Sequence, residues 1–202
     1  QYSSIETYNA LGALKVRGEL RILIDDNENE LTELTRALME DLYDELVEVD
    51  EKLKKIEKRI KLICKENEKC QRILTVPGVG ELTATAIIAS VANADEFENG
   101  RHMAAWLGLV PRQSSSGNKP VLLGISKRGD RYLRTLLIHG ARAALTHSKL
   151  IDCHYGDWLA RKKASLSFNK AAVALANKNA RIIWSLLKTG KEFDCNQKMV
   201  AA

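Results

Sequence analysis

Apolar residues recur at Leu42, Leu46, Val49, Leu53, Ile56, Ile60 and Ile63, in steps of 4, 3, 4, 3, 4 and 3. That alternation is the heptad seam of a coiled coil. Leu31, Leu34 and Leu38 carry the stripe upstream, and the positions between are charged, among them Glu48, Lys52, Lys55, Glu57, Lys58 and Arg59. The pattern predicts a coiled-coil-like helix over 31–70 with its other faces in water. About three heptads are marginal alone, so the seam either pairs with a second copy or lies against its own domain.

The first 30 residues are less regular: Gly12, Gly18 and the acidic stretch 25–30 interrupt any period, leaving a weak helix over 8–24. LTVPGVGELTATAIIASV reads as a helix-hairpin-helix within 71–92. Pro77, Gly78 and Gly80 form its turn, and Ala84, Ile87, Ile88 and Val91 form one apolar face. Amides exposed in such a turn can hold a phosphate; an ordinary helical hairpin wants the same glycines. Trp106 and Leu107 read as core in a short helix that Gly108 ends. Residues 121–125 read as an extended segment rather than a true sheet, leading into a helix over 130–145. That helix carries Arg131, Arg134 and Arg142 on one side and Leu133, Leu136, Leu137 and Ala144 inward. The RKK run ending at Lys163 reads as a solvated face. A final amphipathic helix over 169–188 stops at Gly190, with Lys170, Lys178 and Arg181 read as solvated and a polar, mobile tail over 191–202. The fold class is therefore mainly α: a long coiled-coil-like helix followed by a compact helical domain with a helix-hairpin-helix and a Ser/Gly loop.

The 202 residues are 45% hydrophobic, enough for one sizeable core plus an arm. No run approaches the roughly 18 apolar residues of a membrane span, and no signal core follows a basic flank. The chain reads as soluble and cytoplasmic, with no membrane partner. Cys64, Cys70, Cys153 and Cys195 are separated by 6, 83 and 42 positions, which is no zinc spacing. They and the scattered histidines His102, His139, His147 and His154 are assigned no metal. Residues 1–70 hold 12 Lys+Arg against 17 Asp+Glu, a net of −5, whereas 71–202 hold 19 against 9, a net of +10. The carboxy-terminal part is the nucleic-acid candidate.

Within it, Ser114, Ser115, Ser116 and Gly117 sit among Arg112, Lys119, Lys127, Arg128, Arg131 and Arg134, and from Arg101 to Lys149 only Asp130 opposes them. A serine attacking a phosphodiester needs fixed donors for the charge growing on the phosphoryl oxygens. These cations are the candidates, and a polyanion is the partner they favour. The serines also suit an ordinary polar turn, and spacing alone does not select a nucleophile.

The segments PGVGELTATAII, AAWLGLVPR, SSSGNK, ISKRGDRYLRTLLIHGARAAL and NKNARIIWSLLKTG, in this order, resemble the DEDD transposases of bacterial insertion sequences. That family includes the bridge-RNA-guided recombinases and is related to the Piv-type DNA invertases. The resemblance runs from near Ile73 to near Gly190 and implies a catalytic-serine domain over 71–190. It implies that the serine before the loop glycine, Ser116, is the nucleophile, with Ser115 as second choice. Attack on a DNA phosphate would give a transient phosphoserine, without ATP. It further implies DNA and a guide RNA as partners and self-association through the heptads. The family normally begins with a RuvC-like domain whose four carboxylates bind Mg²⁺. The sequence offers neither its strands nor its spaced acids, so no cofactor is expected here and the chain alone is expected to be inactive. The alternative is a non-catalytic remnant that binds nucleic acid or dimerises.

Overall fold

A computed structural model describes residues 11–91, 93–116, 119–147 and 153–196. Among them are eight α-helices and one two-stranded antiparallel ribbon. The chain divides into two units, Gln1–Lys58 and Arg59–Ala202.

The first unit holds α1 (Leu11–Asp25) and most of α2 (Glu33–Glu66). Thr32 Oγ1 accepts the Thr35 N–H at 3.2 Å and starts α2. Polar groups bring α1 back along α2. Arg17 pairs with Asp50, Arg21 Nη1 lies 3.7 Å from Glu40, and the Arg21 guanidinium sits 5.6 Å from the centre of the Tyr43 ring. Those partners occupy one side of α2. The heptad residues occupy another, and it is open: Leu34, Leu38, Leu42, Val49, Leu53 and Ile56 are all exposed, Leu42 at 66%. The single helix expected over 31–70 is broken. Asn67 adopts an extended conformation and its Oδ1 accepts the Cys70 N–H at 3.1 Å, so α2 stops and a new helix begins.

In the second unit follow α3 (Glu68–Leu74), α4 (Glu81–Ser90), a 3₁₀ turn (Ala94–Glu96), α5 (Gly100–Trp106), β1 (Pro111–Ser116), β2 (Lys119–Ile125), α6 (Arg131–His147), α7 (His154–Ser165) and α8 (Phe168–Thr189). Helix α8 is the axis, packed on by α3, α5, α6 and α7. Its inward stripe of Ala171, Ala172, Leu175, Ala176, Ala180 and Ile183 is buried, the alanines letting neighbours approach closely. Ile73, Ile87, Met103, Leu107, Leu133, Leu137 and Leu159 fill the space around it. Side chains of α8 also hold two loops: Asn179 Nδ2 donates to Pro77 O at 2.9 Å and Asn177 Nδ2 to Leu109 O at 3.2 Å. Gly190, at φ +70°, ends α8 as expected. The segment after it is tied down where the sequence reads as a mobile tail: Tyr155 N–H donates to Cys195 O at 3.0 Å, and Phe193 lies edge-on to the Tyr155 ring at 5.2 Å. An aromatic side chain in a polar stretch is the cue that reading passed over. Residues 197–202 lie outside the described ones.

Candidate functional site

The serine segment is a strand. Ser116 pairs with Lys119, Ser115 with Pro120, Ser114 with Val121 and Gln113 with Leu122; after an irregularity, Pro111 faces Ile125. The expectation of an extended segment without a sheet is thus corrected: the apolar half, VLLGI, shows strand character, whereas its partner PRQSSS shows none by composition and is strand by pairing. Residues 117–118, including Gly117, lie outside the described residues.

The base of the ribbon is held backbone to backbone. Ser126 N–H donates to Val110 O at 2.8 Å and Lys127 N–H to Gly108 O at 3.1 Å. Gly108 (φ +70°) and Gly129 (φ +114°) make this approach possible, since a Cβ would fall 2.3 Å from Arg128 O at the first and 1.8 Å from Trp106 O at the second. Lys127 itself takes φ +56°. Asp130 then starts α6, its Oδ1 accepting the Leu133 N–H at 2.8 Å. Reading the sequence missed this use of Gly129 and Asp130; a glycine just before an Asp cap was the available signal.

The predicted cations divide. Arg112, Lys127, Arg128 and Arg131 are exposed. Arg134 is only 8% exposed, and its Nη1 donates to Leu107 O at 3.1 Å, binding α6 to the end of α5. The helical face on which it was grouped with Arg131 and Arg142 is therefore not one open surface; Arg142 lies over the Phe168 ring at 5.7 Å. Lys119 stands opposite Ser116 in the register. Arg112 is four strand residues from Ser116, about 13 Å at 3.3 Å per residue. Gly78 (φ +85°) is pressed on α6, where a Cβ would lie 2.5 Å from Gly140 O, whereas Gly80 begins α4 in an extended conformation with open space around it. Trp106, read as core, is 36% exposed and tilts against Phe97 at 5.4 Å, while Leu107 is fully buried.

Among the described residues no group of three or more His, Cys, Asp or Glu side chains is placed to hold a metal ion, and the carboxylate nearest the ribbon in sequence, Asp130, is capping α6. These residues do not fit a Mg²⁺ site. No described helix is long and apolar enough to cross a membrane.

Residues 70–155 match the model of the Transposase IS116/IS110/IS902 family. The chain is 46% identical over 186 residues to the transposase for insertion sequence element IS1111A of Coxiella burnetii, covering 92% of this chain and 51% of that protein. It is 46% identical over 150 residues to a probable family 20 transposase of Pseudomonas aeruginosa (74% and 44% covered), and 34% identical over 173 residues to the transposase for IS1328 of Yersinia enterocolitica (86% and 52%). The chain thus spans about half the length of the curated relatives it matches. The serine ribbon, the glycine-held loop at its base and the start of α6 all fall inside 70–155, the stretch that matches the IS116/IS110/IS902 family of transposases.

Proposed function

We propose that this chain is the serine-bearing part of a DNA transposase in which Ser116 is the nucleophile and Ser115 the alternative. The observation that carries the reading is the run Ser114–Ser116 on β1, paired with Lys119 at one end of the ribbon and flanked by exposed Arg112, Lys127 and Arg128 at the other. The serine oxygen attacks phosphorus, one P–O bond to the DNA breaks, and the departing strand oxygen takes up a proton. The phosphoserine diester keeps the energy of the broken bond, so a second strand's hydroxyl can displace the serine without a nucleotide cofactor. Lys119, which pairs with Ser116 in the register, is assigned to the reacting phosphate, and Arg112, Lys127 and Arg128 grip the backbone farther along. The proton of the attacking hydroxyl must pass to a base. Asp130 Oδ1 already accepts the Leu133 N–H, and the proposal takes the base from outside the described residues, so that the chain alone binds DNA without cutting it. A guide RNA and pairing of two copies through the open heptad face of α2 complete the proposal.

The test is a chimera in which this chain replaces the matching half of the Coxiella burnetii transposase, assayed for strand exchange and for a covalent protein–DNA adduct on the ends of its own element. The chimera should form the adduct, and Ser116→Ala should abolish it while leaving DNA binding intact. Loss of the adduct in Ser115→Ala alone would move the assignment to Ser115. An adduct that survives both changes would end the serine mechanism.

A further inference from the structure

A cavity of about 610 Å³ opens in the second unit, and none of its lining residues belongs to the serine ribbon or to α6. It lies between the start of α5, α7, α8 and the segment 193–195. Four cations line it, Arg101 from α5, Arg161 from α7 and Lys178 and Arg181 from α8, against one carboxylate, Asp194. None of the four forms an ion pair with a carboxylate among the described residues. Lys178 Nζ instead lies 4.5 Å from the centre of the Trp158 ring and 5.7 Å from that of Tyr155. The walls are fixed. Tyr155 OH donates to Asn179 Oδ1 at 3.0 Å, and Phe193 closes against the Tyr155 ring. At Gly100 the start of α5 meets α8 so closely that a Cβ would lie 3.0 Å from Arg181 Cα.

Four cations against the single carboxylate of Asp194 leave an excess of positive charge in a half-buried aromatic site, which a bound anion would offset. The strain shows on Lys178, whose pKa is lowered by burial first and then by Arg181 and Arg161. Its side chain is therefore not the simply solvated lysine the sequence suggests. A ligand that answers both features carries a phosphate for the cations and a flat ring for the aromatic wall. A base inside a duplex cannot present its ring to such a wall, whereas an unstacked one can.

We propose that this cavity holds one unstacked nucleotide of a single-stranded nucleic acid, its phosphate against Arg161, Lys178 and Arg181 and its base against Trp158. The site is a second nucleic-acid contact of the chain and does not depend on Ser116. DNA and RNA share the chemistry, and the probes separate them.

The test measures binding of the whole chain to a short labelled single-stranded DNA, to the same sequence as RNA and to the same sequence as duplex DNA, with inorganic phosphate as competitor. Lys178→Ala, Arg161→Ala and Trp158→Ala should each weaken binding of the preferred single strand about tenfold while leaving duplex affinity within about twofold. Each lost cation should also make the salt slope shallower by about 0.7. Arg161 is exposed, so its substitution separates charge from folding, and Lys178→Arg should restore most of the binding lost in Lys178→Ala. Arg112→Ala, on the ribbon, should weaken duplex binding and spare the single strand, so that failure of the cavity and failure of the serine site read differently. Parallel loss of duplex and single-strand binding in the cavity variants, no change in either, or competition by phosphate as strong as by the single strand would overturn the proposal.

Discussion

Replacing Gly140 by alanine sets two known effects against each other. Gly140 lies within α6, where alanine in place of glycine ordinarily stabilises a helix by about 1 kcal/mol. Here the new Cβ would fall 1.8 Å from Gly78 O and 3.0 Å from Gly78 C, and ordinary contact begins near 3.4 Å. The turn would have to retreat by about 1.6 Å, the difference between 3.4 and 1.8 Å. It is poorly placed to do so, because Val76 and Val79 on either side are buried and Pro77 O accepts the Asn179 amide. Overpacking of this kind costs about 1–3 kcal/mol, and straining the Asn179 bond adds about 1 kcal/mol. Subtracting the helical gain leaves a net loss of about 1–3 kcal/mol. For a chain of this size that lowers Tm by about 2–4 °C per kcal/mol. All three tryptophans lie in the second unit, so their fluorescence during urea unfolding reports the right part of the molecule. Gly124→Ala, where nothing lies within 4 Å, should leave the midpoint nearly unchanged. A Gly140→Ala protein that unfolds at the same urea concentration as the parent, or a higher one, would refute the argument that the PGVG turn is a packing element seated on α6.

Leu53→Asp places a charge in the open heptad stripe and should leave the chain monomeric by light scattering at concentrations where the parent associates. Arg134→Ala should destabilise the second unit by about 1–3 kcal/mol by leaving Leu107 O without its buried donor. Arg131→Ala, which is exposed, should leave stability alone, weaken duplex DNA binding and reduce its salt slope by about 0.9. Burial, with a smaller push from Cys70, raises the Cys64 thiol from 9.0 to about 11. The unfolded chain therefore releases this proton before the folded one, and the contribution to stability, complete below pH 9, should fall as pH rises toward 11. Cys64→Ala should flatten that decline in a urea-midpoint titration, and an unchanged decline would remove Cys64 as its cause.

Most of the helical frame was legible because its signals are local. The 3.6-residue stripes predict the cores of α6 and α8, and Gly108 and Gly190 stop helices at φ +70°. The break at Asn67 was hidden because the heptad stripe runs up to Ile63 and the charged residues Lys65, Glu66, Glu68 and Lys69 around it suit a solvated helix as well as a helix end, yet an Asn at an N-cap ends one helix and starts the next. The open heptad face of α2 was visible as a periodicity, whereas the neighbouring face that receives α1 was not, since Arg36, Glu40, Tyr43 and Asp50 look like ordinary solvated positions.

The basic patch was legible in number and illegible in arrangement, because distance along a sequence is not distance on a ribbon. Six cations between Arg112 and Arg134 read as one surface. Pairing of β1 with β2 puts Lys119 opposite Ser116 and sends Arg112 to the far end, while Lys127 and Arg128 follow β2 past its own end at Ile125. Tertiary packing takes Arg134 into the interior altogether. B-form DNA presents one phosphate per strand about every 3.4 Å of axis, so the roughly 13 Å between Arg112 and Ser116 spans about four base pairs. On the proposed function, cations at the base of the ribbon therefore set where along a duplex the serine end comes to rest, and Lys119, paired in register with Ser116, is the cation assigned to the reacting phosphate. Substitutions at the base should accordingly appear in affinity, and substitution of Lys119 in the rate of adduct formation.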